Sequence, residues 1–253
     1  MMTAEQFTQA YAEKFREMHS GTKVTITKAL ELEVKSNSAD GSDLKAYLDN
    51  AFKEYLADPS SADEIIGRHV KSLAGSLENG QPFERQQLLP VVRHKDYVEL
   101  GKLPFAHLLA GELFVIYAFD TPDMLKYADE TALKKLGLRE PELEAIGLEN
   151  LRQVVGKPII KTYPTLATVT ASDAYMTSLL LIDDFWTDKR LSFRGEIVVI
   201  AVARDLMLVT GSEENEGLAA ALKIAHEMIN EVAYPISEKP IVRRQGKWQS
   251  FVQ

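Results

Sequence analysis

The stretch Glu196-Ile-Val-Val-Ile-Ala-Val-Ala203, then Arg204-Asp205, then Leu206-Met-Leu-Val209 decides the fold class of this chain. Two apolar runs around a two-residue polar break are typical of a β-hairpin with a tight turn. Because both faces of each run are apolar, we expect the hairpin, residues 196–210, to be a central strand pair covered by helices on at least one side. The apolar stripe that follows predicts a helix over residues 215–233.

The polar break at Arg204-Asp205 allows two interpretations. Two charges between apolar runs could form a site, whereas an aspartate at a turn accepts hydrogen bonds from its own local backbone. We favour the turn, which also explains Asp120 after the apolar run 113–119. Arg204 should then be exposed, and its replacement by alanine should leave the free energy of unfolding nearly unchanged.

Strand pairs and amphipathic helices alternate along the rest of the chain. Patterns of two strands and a helix recur near residues 23–57 and 113–137. They predict an α+β fold with largely antiparallel sheets, built from hairpin–helix units packed with helices. We expect an N-terminal α/β subdomain of a helix, a hairpin and two helices over residues 1–80, and a main α+β domain over residues 81–253. The connection between them is short, so the two parts should pack together.

Three further segments have less regular patterns. Apolar residues spaced three and four apart predict a helix from Leu44 to Leu56. Residues 100–111 are expected to form a loop that carries some helix. Residues 173–190 are expected to be helical through Leu179–Trp186.

The composition limits the class of protein. The chain has 253 residues, a formal net charge of −8 and no cysteine, which excludes disulfides, thiolate nucleophiles and cysteine-ligated metals. An acidic chain repels phosphate backbones, so general nucleic-acid binding is not expected. The first residues lack the basic and apolar regions of a signal peptide, and no apolar run approaches the roughly 18 residues that a membrane helix needs. We therefore expect a soluble, cytoplasmic protein without membrane insertion.

Sequence motifs for common cofactors are absent. Neither a P-loop nor a G-x-G-x-x-G segment occurs, and there is no G-x-S-x-G nucleophile elbow. None of the five histidines lies three to five residues from another, so local metal-ligand pairs are missing. We predict no cofactor and no metal, although a metal site or triad assembled only in three dimensions stays possible.

Basic residues follow two predicted strands. Arg93-His94-Lys95 ends an apolar strand, where binding loops often lie, and Arg243, Arg244 and Lys247 cluster near the C-terminus. Each group could bind an anion, but basic residues that keep strand ends of an acidic protein soluble are the favoured interpretation. Core packing is likewise favoured over a pocket for the aromatic residues Phe105, Tyr163 and Trp248.

Six short motifs occur in a particular order: Leu89-Pro90-Val91-Val92-Arg93, Asn150-Leu151-Arg152, Asp173-Ala174-Tyr175, Arg204-Asp205-Leu206-Met207-Leu208, Pro235-Ile236-Ser237 and Gly246-Lys247-Trp248. With this order and spacing, the chain resembles the domain-of-unknown-function family numbered 1444, the YtpQ-like proteins of bacteria, from about residue 23 to the C-terminus. The resemblance implies the fold and a bacterial cytoplasmic origin. It carries no established activity.

The chain departs from that family at one segment. Some members read approximately Asp-Gly-Tyr-Asp-Ala-Ser-Arg, where this chain has Asp173-Ala-Tyr-Met-Thr-Ser-Leu179. The second aspartate and the arginine are missing. If those charges do chemistry in the family, this chain has lost it; if the segment is only a helix start, the change is harmless.

Two hypotheses about function follow. The first is a non-catalytic binding or adaptor protein, whose partner is another protein or a second copy of the chain. The second is an enzyme with a site assembled from scattered residues around Arg93, Asp120 and Asp173. The candidate site residues are Arg93, Asp120, Asn150, Asp173 and Tyr175. Convergence of at least three of them on one concave pocket would favour an enzyme, and wide dispersal would contradict it.

Overall fold

The computed structural model describes residues 1–36, 44–77, 83–120, 125–170 and 175–252. Its Cα positions divide into two units, which are Met1–Pro82 with Asp120–Lys126 and Phe83–Phe119 with Tyr127–Gln253. Helices are combined with three mostly antiparallel sheets. This confirms the predicted α+β class. The domain boundary expected near residue 80 stays a prediction.

The N-terminal part contains three helices and one three-stranded sheet. Its elements are α1 (Ala4–Met18), β1 (Thr22–Lys28), β2 (Glu31–Ser36), β3 (Leu44–Tyr47), α2 (Asp49–Ala57) and α3 (Ala62–Leu77). The strands lie in the order β1-β2-β3. Phe7, Tyr11 and Phe15 from one face of α1 are buried in a core that also holds Leu32 and Val34 of β2. Their spacing along α1 is that of an amphipathic helix.

The helix predicted from Leu44 begins later than expected. Residues 44–47 instead form β3, in which Ala46 is opposite Leu32 and Tyr47 is opposite Glu31. Ala46 is buried while Tyr47 is exposed, which is the alternation of a strand. The backbone of this segment gains hydrogen bonds to β2, and this tertiary pairing outweighs the local helical spacing.

The described residues of the remaining chain form two sheets and four α-helices, together with short 3₁₀ helices. Its elements are β4 (Leu88–His94), α4 (Lys95–Gly101), β5 (His107–Ala110), β6 (Leu113–Asp120), β7 (Leu125–Tyr127), α5 (Glu130–Leu136), α6 (Leu143–Val154), β8 (Ile159–Thr162), β9 (Ala167–Thr170), β10 (Ile197–Ala203), β11 (Leu206–Gly211), α7 (Asn215–Met228), β12 (Ile241–Arg244) and β13 (Lys247–Ser250). Six strands follow the order β13-β12-β10-β11-β9-β8. The other sheet has the order β4-β6-β5, and β7 pairs with β6.

The hairpin of β10 and β11 is the central pair of the six-stranded sheet, as predicted. On one face, Ile200, Val202 and Leu208 are buried with Ala221 and Ala225 of α7. The opposite face contributes to the largest apolar cluster, through Val199, Ala201, Met207 and Val209. Burial on both sides explains why neither strand carries a polar face.

The helix predicted over residues 215–233 ends earlier, at Met228. The carbonyl of Met228 accepts hydrogen bonds from the amides of Glu231 and Val232, at 2.9 and 3.0 Å. These bonds close a turn, and Pro235 follows shortly after it. A proline just beyond a helix end is common because it cannot continue the helix.

Arg204 and Asp205 form the turn between β10 and β11, which confirms the turn interpretation. Asp205 is exposed, but Arg204 is only half-exposed because its guanidinium lies over the ring of Tyr234. The expectation that Arg204 is exposed is therefore wrong.

Residues 176–191 are helical as predicted, but they form three short 3₁₀ helices, Met176–Leu181, Asp183–Thr187 and Lys189–Leu191, and no α-helix. The indole N–H of Trp186 donates to the carbonyl of Leu179 at 2.9 Å, and that of Trp248 donates to the carbonyl of Leu180 at 2.7 Å. In an α-helix, those carbonyls would accept from amides four residues later. Side-chain bonds to the backbone thus replace the helical ones.

The loop expected over residues 100–111 contains a strand. Residues 107–110 form β5, where His107 is opposite Val115 and Leu108 is opposite Phe114. The segment has no clear alternation of apolar and polar residues, because Leu108 and Leu109 are adjacent. Pairing with β6 determines its conformation instead.

Candidate functional site

The end of strand β4 carries the basic residues singled out in the sequence. Residues 88–92 are all buried, and Arg93 and His94 follow them with half-buried side chains. Helix α4 begins at once, because the Nδ1 atom of His94 accepts a hydrogen bond from the amide of Asp96 at 3.3 Å. A side chain that caps a helix start in this way fixes the direction of the chain. The strand end is therefore held in one conformation.

Glu112, in the turn between β5 and β6, contacts three basic side chains. Its carboxylate lies 3.2 Å from Nε2 of His94, 3.5 Å from Nζ of Lys95 and 2.7 Å from Nζ of Lys239. The hydrogen bond from Lys239, with that from His94, lowers the pKa of Glu112 to about 2, although partial burial acts in the opposite direction. His94 and Lys95 thus both have an internal carboxylate as a contact partner.

Arg93 differs from its two neighbours. One guanidinium nitrogen, Nη1, donates to the carbonyl of Val92 at 2.9 Å. Within the described parts of the chain, no carboxylate forms an ion pair with Arg93. A guanidinium has five N–H donors in a planar fork. Most of its capacity to donate is therefore left for a ligand.

Two phenols accompany Arg93. The hydroxyls of Tyr97 and Tyr127 lie 3.0 Å apart, and their rings meet edge to face with centroids 5.7 Å apart. Burial raises the pKa of the Tyr97 phenol above its usual range, Tyr127 adds to the rise, and the charge of Arg93 opposes it. The Tyr97 hydroxyl therefore stays protonated at neutral pH, accepts the hydrogen bond of Tyr127 and can donate its own hydrogen.

An exposed leucine extends this group. Leu100 lies one helical turn after Tyr97 on α4, so the two side chains share a side of the helix. Their exposed fractions are 87% for Leu100 and 48% for Tyr97. We call the set Arg93, Tyr97, Leu100 and Tyr127 the Arg93 surface. It combines one cation, two phenols and an apolar side chain.

The other candidate residues lie elsewhere. Asn150 on α6 is buried, and its amide donates to the carbonyls of Arg85 and Leu88 at 2.7 and 2.9 Å. Tyr175 is half-buried and packs against the largest apolar cluster, and Asp120 ends β6. Asp173 lies outside the described residues. Asn150 therefore holds the start of β4 in place, which is a structural role.

The second basic group is paired internally. Arg243 lies 2.6 Å from a carboxylate oxygen of Asp183, and Arg244 lies 2.6 Å from one of Glu196. Both arginines lie at the end of β12, which is flanked by β13 and β10. The interpretation of these basic residues as groups that keep strand ends soluble stays a prediction.

Two cavities accompany these features. One, of about 510 Å³, is lined by Lys14, Met18, Asp63, Glu64, Gly67, Arg68 and Lys71. The other, of about 220 Å³, is lined by Phe105, Ala106, His107, Tyr117, Glu140, Pro141 and Glu144. Neither is lined by Arg93, Asp120, Asn150 or Tyr175. The candidate residues therefore do not converge on either of these two cavities.

The described residues contain no group of three or more histidine, aspartate or glutamate side chains placed to hold a metal ion. None of the helices found there has the length and apolar content to cross a membrane.

Sequence reasoning found Arg93 but missed the residues around it. Tyr97 is four positions away, and the helix start at His94 would have placed it nearby. Tyr127 is 30 residues from Tyr97, and nothing in the local sequence connects them. Phe105 packs against an apolar cluster, which confirms the core packing favoured for it, and it also lines the smaller cavity.

Comparison with known proteins finds relatives in bacteria. A UPF0354 protein of Listeria welshimeri is 23% identical over 224 residues, which cover 84% of this chain and 82% of the relative. A UPF0354 protein of Listeria monocytogenes is 24% identical over 199 residues, covering 75% and 74%. One from Staphylococcus haemolyticus is 22% identical over 196 residues, covering 74% and 68%. These homologues are uncharacterised proteins of Firmicutes, and their names state no activity.

No family model matches the chain. No solved structure matches it either.

Proposed function

We propose that this protein is a non-catalytic binding protein, and that the Arg93 surface holds a protein partner through a carboxylate of that partner. One observation carries the proposal. Arg93 is half-buried beside two phenols, and it has no carboxylate partner among the described residues. Its neighbours His94 and Lys95 both contact Glu112.

Arg93 has no carboxylate partner among the described residues, so its guanidinium needs acceptors from outside. A guanidinium that has lost part of its water needs compensating acceptors, because uncompensated burial of a charge is costly. A carboxylate meets this need with two parallel hydrogen bonds that match the guanidinium fork. The hydroxyl of Tyr97, which accepts from Tyr127, supplies one further donor near it. We expect the partner to place an aspartate or glutamate at this point.

The surroundings favour a protein over a metabolite. Small-molecule sites are concave and enclose most of the ligand, whereas neither described cavity includes the Arg93 surface. Leu100 and Tyr97 present apolar area to solvent next to the charge. Arginine and tyrosine are the residue types that dominate the binding energy of protein interfaces.

The test is affinity capture from the source bacterium with wild-type protein, Arg93→Ala and a matched control, Arg152→Ala. Arg152 is exposed on α6, and its guanidinium contacts only the carbonyl of Leu148 at 3.5 Å in the described structure. We expect a stoichiometric partner that Arg93→Ala loses and Arg152→Ala retains. Titration of the purified partner should show about 10- to 100-fold weaker binding to Arg93→Ala.

Two outcomes would contradict the proposal. A partner that binds wild type and Arg93→Ala equally well does not use this surface. Turnover of a substrate that depends on Arg93 would support the enzyme hypothesis instead. Sedimentation of the purified chain tests whether the partner is a second copy of the same protein. Self-association of the wild type that is lost in Arg93→Ala would identify the partner as another protomer.

We infer further that the chain is a cytoplasmic, YtpQ-like member of the domain-of-unknown-function family 1444. The ordered motifs from Leu89 to Trp248 support this, together with similarity to a UPF0354 protein over 82% of that relative. Cell fractionation followed by immunoblotting tests the location. Recovery with the membrane or outside the cell would contradict it.

A further inference from the structure

We infer that the smaller cavity binds an organic cation, namely a guanidinium or alkylammonium group. This cavity of about 220 Å³ lies among the start of β5, strand β6 and the 3₁₀ turn Glu140–Glu142 that leads into α6. It shares no residue with the Arg93 surface. The inference does not rest on the proposed function.

Two carboxylates without counter-charges line the cavity. Glu140 and Glu144 are four residues apart where α6 begins, so their side chains lie on the same side of the chain. Neither forms an ion pair or a side-chain hydrogen bond with any described residue, whereas Glu142 between them pairs with Arg139 at 3.0 Å. Acidic residues are common at helix starts, so these two alone do not define a site.

Tyr117 supplies an independent observation. This residue on β6 is only 6% exposed, lines the cavity, and makes no hydrogen bond through its hydroxyl within the described structure. Burial, followed by the charges of Glu144 and Glu140, raises the pKa of the Tyr117 phenol to about 12. The hydroxyl oxygen itself is not among the fully buried polar atoms, so a ligand in the cavity can reach it. The Tyr117 oxygen could accept a hydrogen bond from an N–H group of the ligand. The two carboxylates would neutralise the positive charge of the ligand.

Aromatic faces complete the lining. The rings of His107 and Tyr117 have centroids 6.0 Å apart and are tilted by 38°, and Phe105 is also part of the wall. The faces of aromatic rings attract cations, and the attraction grows when water is excluded. Aromatic walls with two free carboxylates are therefore suited to a cation with an organic body.

The volume restricts the size of the ligand. Drug-sized ligands occupy pockets of roughly 300 to 1,000 Å³, so this cavity suits the head of one side chain or a small amine. An arginine or lysine side chain of another protein and a free amine offer the same chemistry. The experiment below separates these two sources.

The test is NMR titration of the ¹⁵N-labelled protein with N-acetylarginine amide and N-acetyllysine amide. N-acetylcitrulline amide, nearly the same shape as the arginine probe but uncharged, is the ligand control. We expect saturable shifts with a cationic probe that concentrate around residues 105–107, 117 and 140–144. Citrulline should produce none. Tighter binding of an arginine-containing pentapeptide would assign the cation to a protein, and equal binding would assign it to a small molecule.

Variants locate the site. The double change Glu140→Gln and Glu144→Gln should weaken binding by about tenfold or more, and Tyr117→Phe should weaken it less because only the hydroxyl is removed. Glu149→Gln is the matched control, since Glu149 is exposed on the same helix but does not line the cavity. Equal binding of citrulline, an unchanged affinity of the double variant, or no saturation with either cation would overturn the inference.

Discussion

The guanidinium of Arg204 stacks on the aromatic ring of Tyr234, with 3.3 Å between its central carbon and the ring centroid. The backbone amide of Arg204 also donates to the carbonyl of Tyr234 at 3.2 Å. These contacts join the turn of the central hairpin to the segment that follows α7. The turn is therefore part of a packed structure.

Replacement of Arg204 by alanine should lower the free energy of unfolding by about 0.5 to 2 kcal/mol, the range of cation–π contacts. Arg204→Lys should recover part of the loss, because an ammonium is attracted to the ring but stacks on it less well. Urea unfolding followed by circular dichroism measures both. Asp205→Ala is the control at the same turn, since Asp205 is exposed; a loss as large as that of Arg204→Ala would contradict the role of Tyr234.

The contribution of Glu112 to the free energy of unfolding should depend on pH. Its pKa is lowered from 4.5 to about 2 in the folded protein, so the stabilisation is complete above about pH 5 and is lost as the pH falls towards 2. We expect Glu112→Gln to cost about 1 kcal/mol at pH 7, because Lys239, its strongest partner, is 64% exposed. Urea unfolding of both proteins at several pH values tests this.

The difference between wild type and Glu112→Gln should shrink steadily from pH 5 to pH 2. Glu99→Gln provides the control, because Glu99 is exposed on α4 and has no ion-pair partner among the described side chains. A difference for Glu112→Gln that persists unchanged at the lowest pH would show that its charge is not responsible.

Gly217 in α7 should not tolerate alanine, although alanine favours helices. A Cβ atom at this position would collide with the backbone oxygen of Thr165 and with Oγ1 of Thr210. Thr210 donates to that same oxygen at 2.6 Å, so neither atom can move without losing a bond. We expect Gly217→Ala to destabilise the protein by about 1 to 3 kcal/mol.

Gly67 in α3 offers the opposite case. No atom lies within 4 Å of a Cβ built there, so Gly67→Ala should stabilise the protein by about 0.5 to 1 kcal/mol through helix propensity. Thermal unfolding of the two alanine variants shows whether each substitution raises or lowers the stability. Stabilisation by Gly217→Ala would contradict the close packing of α7.

Asn150 should matter for stability and not for binding. Its removal by Asn150→Ala leaves the carbonyls of Arg85 and Leu88 without their donor, and it should cost about 1 to 3 kcal/mol. Asn150→Asp should cost more, because a carboxylate would face two carbonyl oxygens and repel them. Chemical unfolding ranks the two variants, and a less damaging aspartate would refute the assigned hydrogen bonds.

The predictable parts of the fold are those in which burial requires a recognisable pattern of apolar residues. Residues 197–203 of β10 are apolar without interruption, which indicates a strand buried on both faces. The 3₁₀ turns over 176–191 were not predictable. Their backbone carbonyls are bound by indoles, and Trp248 lies 68 residues from the carbonyl it binds. Such distant bonds have no local pattern.

The residues of the candidate site were also predictable only in part. Arg93 was found because it ends an apolar strand, where binding loops often lie. Asn150 was also selected, because a sequence does not distinguish a buried amide that binds backbone from one that binds a ligand. Glu112 was missed, since a single glutamate in a turn is ordinary until the fold brings Lys239 to it. The cavity around Tyr117 depends on residues from three separate segments.

The two tryptophans of the chain, Trp186 and Trp248, meet edge to face with ring centroids 4.9 Å apart. Both are buried in the unit of residues 83–119 and 127–253, whereas tyrosines such as Tyr11 and Tyr55 occupy the other. Indole emission therefore reports on one core alone, through a coupled pair of chromophores. Tyrosine emission and absorbance respond to both cores, so two optical channels can resolve the unfolding of each unit within a single sample.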